Sequence, residues 1–176
     1  MTHSEQYLPI AEVLTEWLKD ARRRTLDLIN DLDDDQLMGP LLPTVNPLLW
    51  EIGHVAWFQE KWLLRYAHGR SPLLSTADNL YDSSAVIHDS RWQLPLPTRE
   101  QTFRYMAMVE EQALEILKRQ PCLDDVYFTL LSTSMRICTL RHSLILAKRS
   151  VTRRRLFPIG PLPFIGTKRL LSKEMR

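Results

Sequence analysis

Cysteine is scarce in this chain. Only Cys122 and Cys138 occur among 176 residues, and they form no metal-binding or redox motif. Such usage fits a reducing compartment, so a cytoplasmic location is expected. No apolar run reaches the length of a membrane span, so no membrane association is expected. The opening MTHSEQYLPI has no basic stretch followed by an apolar one, so no signal peptide is expected. No internal repeat is present. Asp33, Asp34 and Asp35 lack the alternating ligands, glycine and distant glutamate of a calcium loop. Acidic residues are missing from one end: residues 132–176 hold 11 Lys/Arg and a single acid, Glu174, a net of +10. Residues 1–131 hold 12 Lys/Arg and 20 Asp/Glu, a net of −8.

Hydrophobic content is 44% and charged content 25%, an ordinary balance for one globular domain with a sizeable core. The chain is organised around NPLLWEIGHVAWFQEKWLLR, Asn46 to Arg65. Asn46 is a good N-cap, and Pro47 suits the first helical position because it needs no backbone N–H there. Leu49, Trp50, Val55, Trp57, Phe58, Trp62 and Leu63 are too many apolar residues for one narrow stripe, which predicts a helix buried on most sides. One titratable group stands among the aromatic rings. His54 has Trp50 one turn before it and Trp57 and Phe58 one turn after. Gly53 beside it permits close approach by a backbone or a ligand. Taken alone, His54 reads either as a hydrogen-bonded core residue or as a metal ligand in need of partners.

The remaining pattern is helical. Leu14, Trp17, Leu18, Ala21, Thr25, Leu28 and Ile29 predict a first helix over about Glu5 to Leu32, with Pro9 near its start. Gly39, Pro40 and Pro43 mark a linker into the central helix. Residues 68–97 carry no clear element, but LYDSSAVIHDSRWQLPLP, with Tyr81, His88, Asp89, Arg91 and Trp92, argues for a packed loop near a site. Thr98 and Gln101 form a capping box for a third helix, with Phe103, Met106, Met108, Val109, Ala113, Ile116 and Leu117 as apolar positions, ending near Gln120. A fourth helix starts around Leu123 to Asp125, and its pattern degrades after about residue 131. VTRRRLFPIGPLPFIGTKRLLSKEMR holds three Pro and two Gly and reads as irregular. The expected architecture is all-α: a four-helix bundle over residues 1–149 with a long loop between its second and third helices, then an irregular basic tail over 150–176.

NPLLWEIGHVAWFQEKWLLR followed by LYDSSAVIHDSRWQLPLP resembles the N-terminal, DinB-like domain of the sulfoxide synthases of ergothioneine biosynthesis and of the closely similar selenoneine synthases. The resemblance covers about Ser4 to Leu130. It implies a DinB-like four-helix bundle in a nonheme iron enzyme with three histidines binding Fe(II). One of them, in a GHVAWF-type segment, corresponds to His54. The others belong to a His-Glu-Asp-Met-His segment on the last helix. An arginine near the HD-x-RW segment serves the carboxylates of the thiol substrate, and Arg91 is the matching position. No residue is assigned a catalytic role.

Where the family has His-Glu-Asp-Met-His, this chain reads STSMRICTLRHS, in which His142 stands alone. Synonymous codons for SMRICTLRHSLILAKRSVT can be chosen so that the shifted frame reads CAT GAG GAT ATG CAC, or HEDMH, and continues as HEDMHTEALTYTRQTLGY. This implies a frameshift near Ser132, a basic tail never selected as protein, and a low expectation of nucleic-acid binding by Arg153–Arg155.

The resemblance implies an enzyme that uses Fe(II) and O₂ to join the sulfur of a small-molecule thiol, or selenium, to the imidazole of trimethylhistidine. It also implies a second, formylglycine-generating-enzyme-like domain. The expectation for this chain is a truncated, inactive N-terminal part that does not hold iron tightly. The alternatives are a standalone DinB-like metal-dependent thiol transferase and a noncatalytic helical interaction module.

Overall fold

The computed structural model describes residues 10–136. Four longer helices form a bundle, as expected, and no β-strand forms among the described residues beyond one bridge, Leu42 to Val45. Helix α1 spans Ile10–Ile29 and buries Leu14, Leu18, Ala21, Thr25 and Ile29. Trp17 is a correction: it lies at the edge of that stripe, 53% exposed, beside Leu117 and Lys118 of the third long helix. The expected contributions of Glu5 and Pro9 lie outside the described residues.

Asp33, Asp34 and Asp35 open a short helix, α2 (Asp34–Met38), which Asp33 caps in a capping box with Gln36. Helix α3 (Leu48–Gln59) is buried on nearly every side and continues into a π-helical segment, Glu60–Ala67. Trp50 and Trp57 are buried, whereas Phe58 and Trp62 are only half-buried. Trp62 stacks on Phe128 at 5.9 Å.

Asn46 does not cap α3, contrary to expectation. The cap position falls on Pro47, with no side-chain cap. Asn46 instead donates to Glu51 at 2.6 Å and accepts from Arg91 at 2.6 Å. A charge-assisted bond from the guanidinium is stronger than one from a neutral backbone N–H, so Arg91 takes the asparagine oxygen.

The region expected to lack an element holds two short ones, helix α4 (Ala77–Tyr81) and a 3-10 turn (His88–Trp92). Helix α5 (Arg99–Lys118) starts with the expected Thr98–Gln101 capping box and packs on both α1 and α3. It ends slightly short of Gln120. Met108 is 38% exposed rather than core, while Thr102, Tyr105 and Glu110 turn inward. Arg22 of α1 pairs with Glu110 of α5, and Arg99 donates to the Leu32 and Ile29 carbonyls at the end of α1.

Residues 123–136 form the fourth long helix, α6, which continues past residue 131 to the last described residue. Asp125 near its start accepts from the Cys122 backbone N–H at 2.9 Å and meets His68 at 2.6 Å. The expected tail, residues 150–176, lies outside the described residues, as do Cys138 and His142.

Candidate metal-ligand site around His54

Three side chains on one face of α3 are tied to α4. Trp50, His54 and Trp57 are spaced four and three residues apart, so they stack along the helix axis. The Trp50 ring lies 4.6 Å from the His54 ring at 13°, and the Trp57 ring lies 5.6 Å from it at 23°. The Trp50 indole N–H donates to the Leu80 carbonyl at 2.7 Å, and the Trp57 indole N–H to Asp78 Oδ1 at 2.6 Å. His54 Nδ1 lies 2.7 Å from the Tyr81 carbonyl oxygen.

That last contact fixes the tautomer. A carbonyl oxygen only accepts, so Nδ1 must carry the proton. Burial lowers the His54 pKa; the Tyr81 bond offsets part of this, and nearby Arg91 lowers it further. The ring is therefore neutral at pH 7, and Nε2 holds the lone pair. A ring N–H given to a backbone carbonyl is the usual way a protein orients a ligating histidine.

Gly53 shows why this position has no side chain. A Cβ there would lie 2.2 Å from Cε1 and Cζ of Tyr81 and 2.5 Å from its hydroxyl. The close approach expected at Gly53 is made by the Tyr81 ring, not by a backbone or a ligand. Tyr81 is fully buried, and its ring also stacks 6.3 Å from Tyr105. Burial pushes its phenol pKa up to about 12. Tyr105 in turn donates to the buried Glu60, which also accepts from the Leu73 backbone N–H at 2.8 Å.

Helix α4 is held from outside by Asp78. Arg65 forks onto both of its carboxylate oxygens, at 2.7 and 2.8 Å. Residues 57 and 65 would point roughly 80° apart on regular 3.6-residue turns. The wider π turn rotates less per residue and brings both toward Asp78.

Arg91 also belongs to this neighbourhood. Its guanidinium lies 4.1 Å over the Trp50 ring, so the two residues singled out from the sequence meet on one indole. It is 8% exposed and donates to Asn46 and, at 3.1 Å, to the Val86 carbonyl. Its Nε has no partner among the described residues. Sequence reasoning missed Asp78, Arg65 and the two carbonyls of α4. Five residues are too few to show a period, and a backbone acceptor leaves no mark in sequence.

Together these features define a helical bundle that presents a single neutral imidazole from an aromatic slot. The DinB superfamily matches residues 17–126, and the chain belongs to that superfamily. Among curated relatives, the hercynine oxygenase of Mycolicibacterium thermoresistibile is 39% identical over 116 residues, 65% of this chain and 26% of the relative. That of Mycolicibacterium smegmatis is 36% identical over 112 residues, 62% of this chain and 26% of the relative. That of Mycobacterium tuberculosis is 38% identical over 106 residues, 59% of this chain and 25% of the relative. The chain thus carries a DinB-like domain related to that of the hercynine oxygenases, and spans about a quarter of their length. No helix among the described residues is long and apolar enough to cross a membrane.

Proposed function

We propose that this chain corresponds to the DinB-like domain of an Fe(II)-dependent, cytoplasmic enzyme that joins sulfur or selenium to trimethylhistidine, and that the chain alone neither holds iron tightly nor forms that bond. The observation that carries the reading is the His54 ring. It is buried between two indoles, its Nδ1 proton is given to the Tyr81 carbonyl, and its Nε2 is left with the lone pair. Imidazole suits Fe(II), but a metal site normally needs at least three protein ligands. Among the described residues no three His, Cys, Asp or Glu side chains are placed to hold a metal. They offer one ligand and no complete iron site, so no reaction step is assigned to them. Arg91 is the candidate for a substrate carboxylate, which it could engage through Nε or after exchanging Asn46 or Val86.

The other two ligands are proposed to be lost by the frame change within STSMRICTLRHS. Helix α6 supports this. It buries Phe128 ahead of the frame change, but its buried residues from 132 to 136 are Ser132, Thr133 and Arg136, none of them apolar. Arg136 is 2% exposed, its one hydrogen bond among the described residues goes to Gln59 at 3.3 Å, and its Nη1 has no partner there. Burial lowers its pKa to about 10. A buried cation with so little compensation is costly, which fits a segment not selected for this core.

The test is anaerobic Fe(II) titration of this chain beside a frame-corrected one. Binding is expected only in the corrected chain, and is lost there on His54→Ala. Stoichiometric micromolar binding by the present chain, abolished by His54→Ala, would overturn the proposal.

A further inference from the structure

We propose that Asp78 is a positioning residue for His54: by clamping α4 against α3 it holds His54 in the tautomer that presents Nε2. The inference concerns the ring before any metal arrives, and it gains functional meaning from the ligand reading above.

Two routes connect Asp78 to the ring. The first is through the backbone. Arg65 grips both carboxylate oxygens of Asp78, on the first turn of α4. Two and three residues later, the carbonyls of Leu80 and Tyr81 accept from Trp50 and His54. A helix of five residues has no stable position of its own. The clamp therefore acts with the core packing of Ala77, Leu80 and Tyr81 to set where the Tyr81 carbonyl sits. The second route is through Trp57. Asp78 accepts its indole N–H at 2.6 Å, which fixes the rotation of a ring lying 5.6 Å from the imidazole. Lys61 lies 3.9 Å from Asp78 and 5.8 Å from the Trp57 ring, on the solvent side of the clamp.

Nothing else among the described residues hydrogen-bonds His54. Neutral imidazole exchanges its proton between its two nitrogens, and only the acceptor at Tyr81 selects Nδ1–H here. If the carbonyl moves away, the selection is lost and Nε2–H appears. That form cannot ligate through Nε2. Asp78 would thus govern ligand readiness without touching the ring.

The experiment reads imidazole nitrogen chemical shifts of the metal-free chain at neutral pH. The protein is labelled at histidine, with His54 assigned by its loss in His54→Ala. Wild type is expected to show one tautomer, Nδ1–H. In Asp78→Ala, the Nε2–H form should become visible, and Asp78→Asn, which cannot pair with Arg65 through two anionic oxygens, should lie between. Arg65→Lys tests the clamp from its other side and should shift the ratio in the same direction. Leu18→Ala, a cavity in the buried face of α1, should lower stability and leave the tautomer unchanged. A wild-type ring protonated on Nε2 would overturn the proposal. So would Asp78→Asn and Arg65→Lys chains that fold and keep Nδ1–H undiluted, or an equal shift in Leu18→Ala. If Asp78→Ala does not fold, the Asn and Lys variants decide the matter. Because no metal is added, failure here is distinguishable from failure of iron binding.

Discussion

Gly53→Ala puts the packing around His54 to a quantitative test. In the middle of a helix, alanine is favoured over glycine by about 1 kcal/mol, so the change would stabilise α3 if nothing were nearby. The Tyr81 ring is nearby. A methyl carbon 2.2 Å from two ring atoms must be parted from them by about 1.2–1.8 Å to reach ordinary contact. The ring cannot swing into solvent, because Tyr81 is fully buried and stacked against Tyr105. Overpacking of this kind costs about 1–3 kcal/mol. Displacing Tyr81 also strains the 2.7 Å bond to His54, worth roughly another 1 kcal/mol. Against the helical gain, the balance is a loss of about 1–3 kcal/mol. Urea denaturation should show a lower midpoint with an unchanged slope. A partner substitution separates sterics from helix propensity. In a Tyr81→Leu background the methyl has room, so Gly53→Ala should become neutral or stabilising by up to about 1 kcal/mol. Gly53→Ala at or above wild-type stability in the parent chain would refute the Gly53–Tyr81 contact and the fixed carbonyl built on it.

Trp57→Ala should destabilise the bundle by about 3–5 kcal/mol through its cavity and the lost indole bond to Asp78, read by thermal or urea unfolding. Thr98→Ala removes the cap of α5 and should cost about 1 kcal/mol, with Thr98→Asp close to wild type. Gly69 has φ +61° and open space around it, so Gly69→Ala should lose roughly 1 kcal/mol from backbone strain alone, and Gly69→Asn less. The Arg65 fork holds the Asp78 carboxyl well below the usual carboxylate range. A depressed folded pKa adds stability that is full above the unfolded value, about pH 4, and is lost as pH falls through the folded value. The stability gap between wild type and Asp78→Asn should therefore be widest at neutral pH and begin to narrow only below about pH 4, and a gap that widens in acid would contradict the pairing.

The long helices and most of their buried positions were legible in the residue pattern alone. An apolar stripe through Leu14, Leu18, Ala21, Thr25 and Ile29, and an all-round apolar run from Leu49 to Leu63, leave few ways to satisfy water except a bundle. Thr98 and Gln101 announced α5 because a capping box is a local device, complete within four residues. His54 and Arg91 were visible through the motifs that carry them. Tertiary structure decided everything that depends on a partner distant in sequence. Asn46 carries the signature of an N-cap, yet Arg91, 45 residues away, takes its oxygen. Trp17 fits the period of α1 but lies at the edge of the buried stripe, half-exposed beside Leu117 and Lys118. Asp78 looks like any loop aspartate until Trp57 of α3 and Arg65 of the π-helical segment after it, which no periodicity predicts, converge on it. Burial keeps the His54 ring neutral, and the place of its proton on Nδ1 rests on one carbonyl oxygen of Tyr81, 27 residues on. Backbone acceptors are the same at every position in a sequence, so only the fold can say which of them meets the ring.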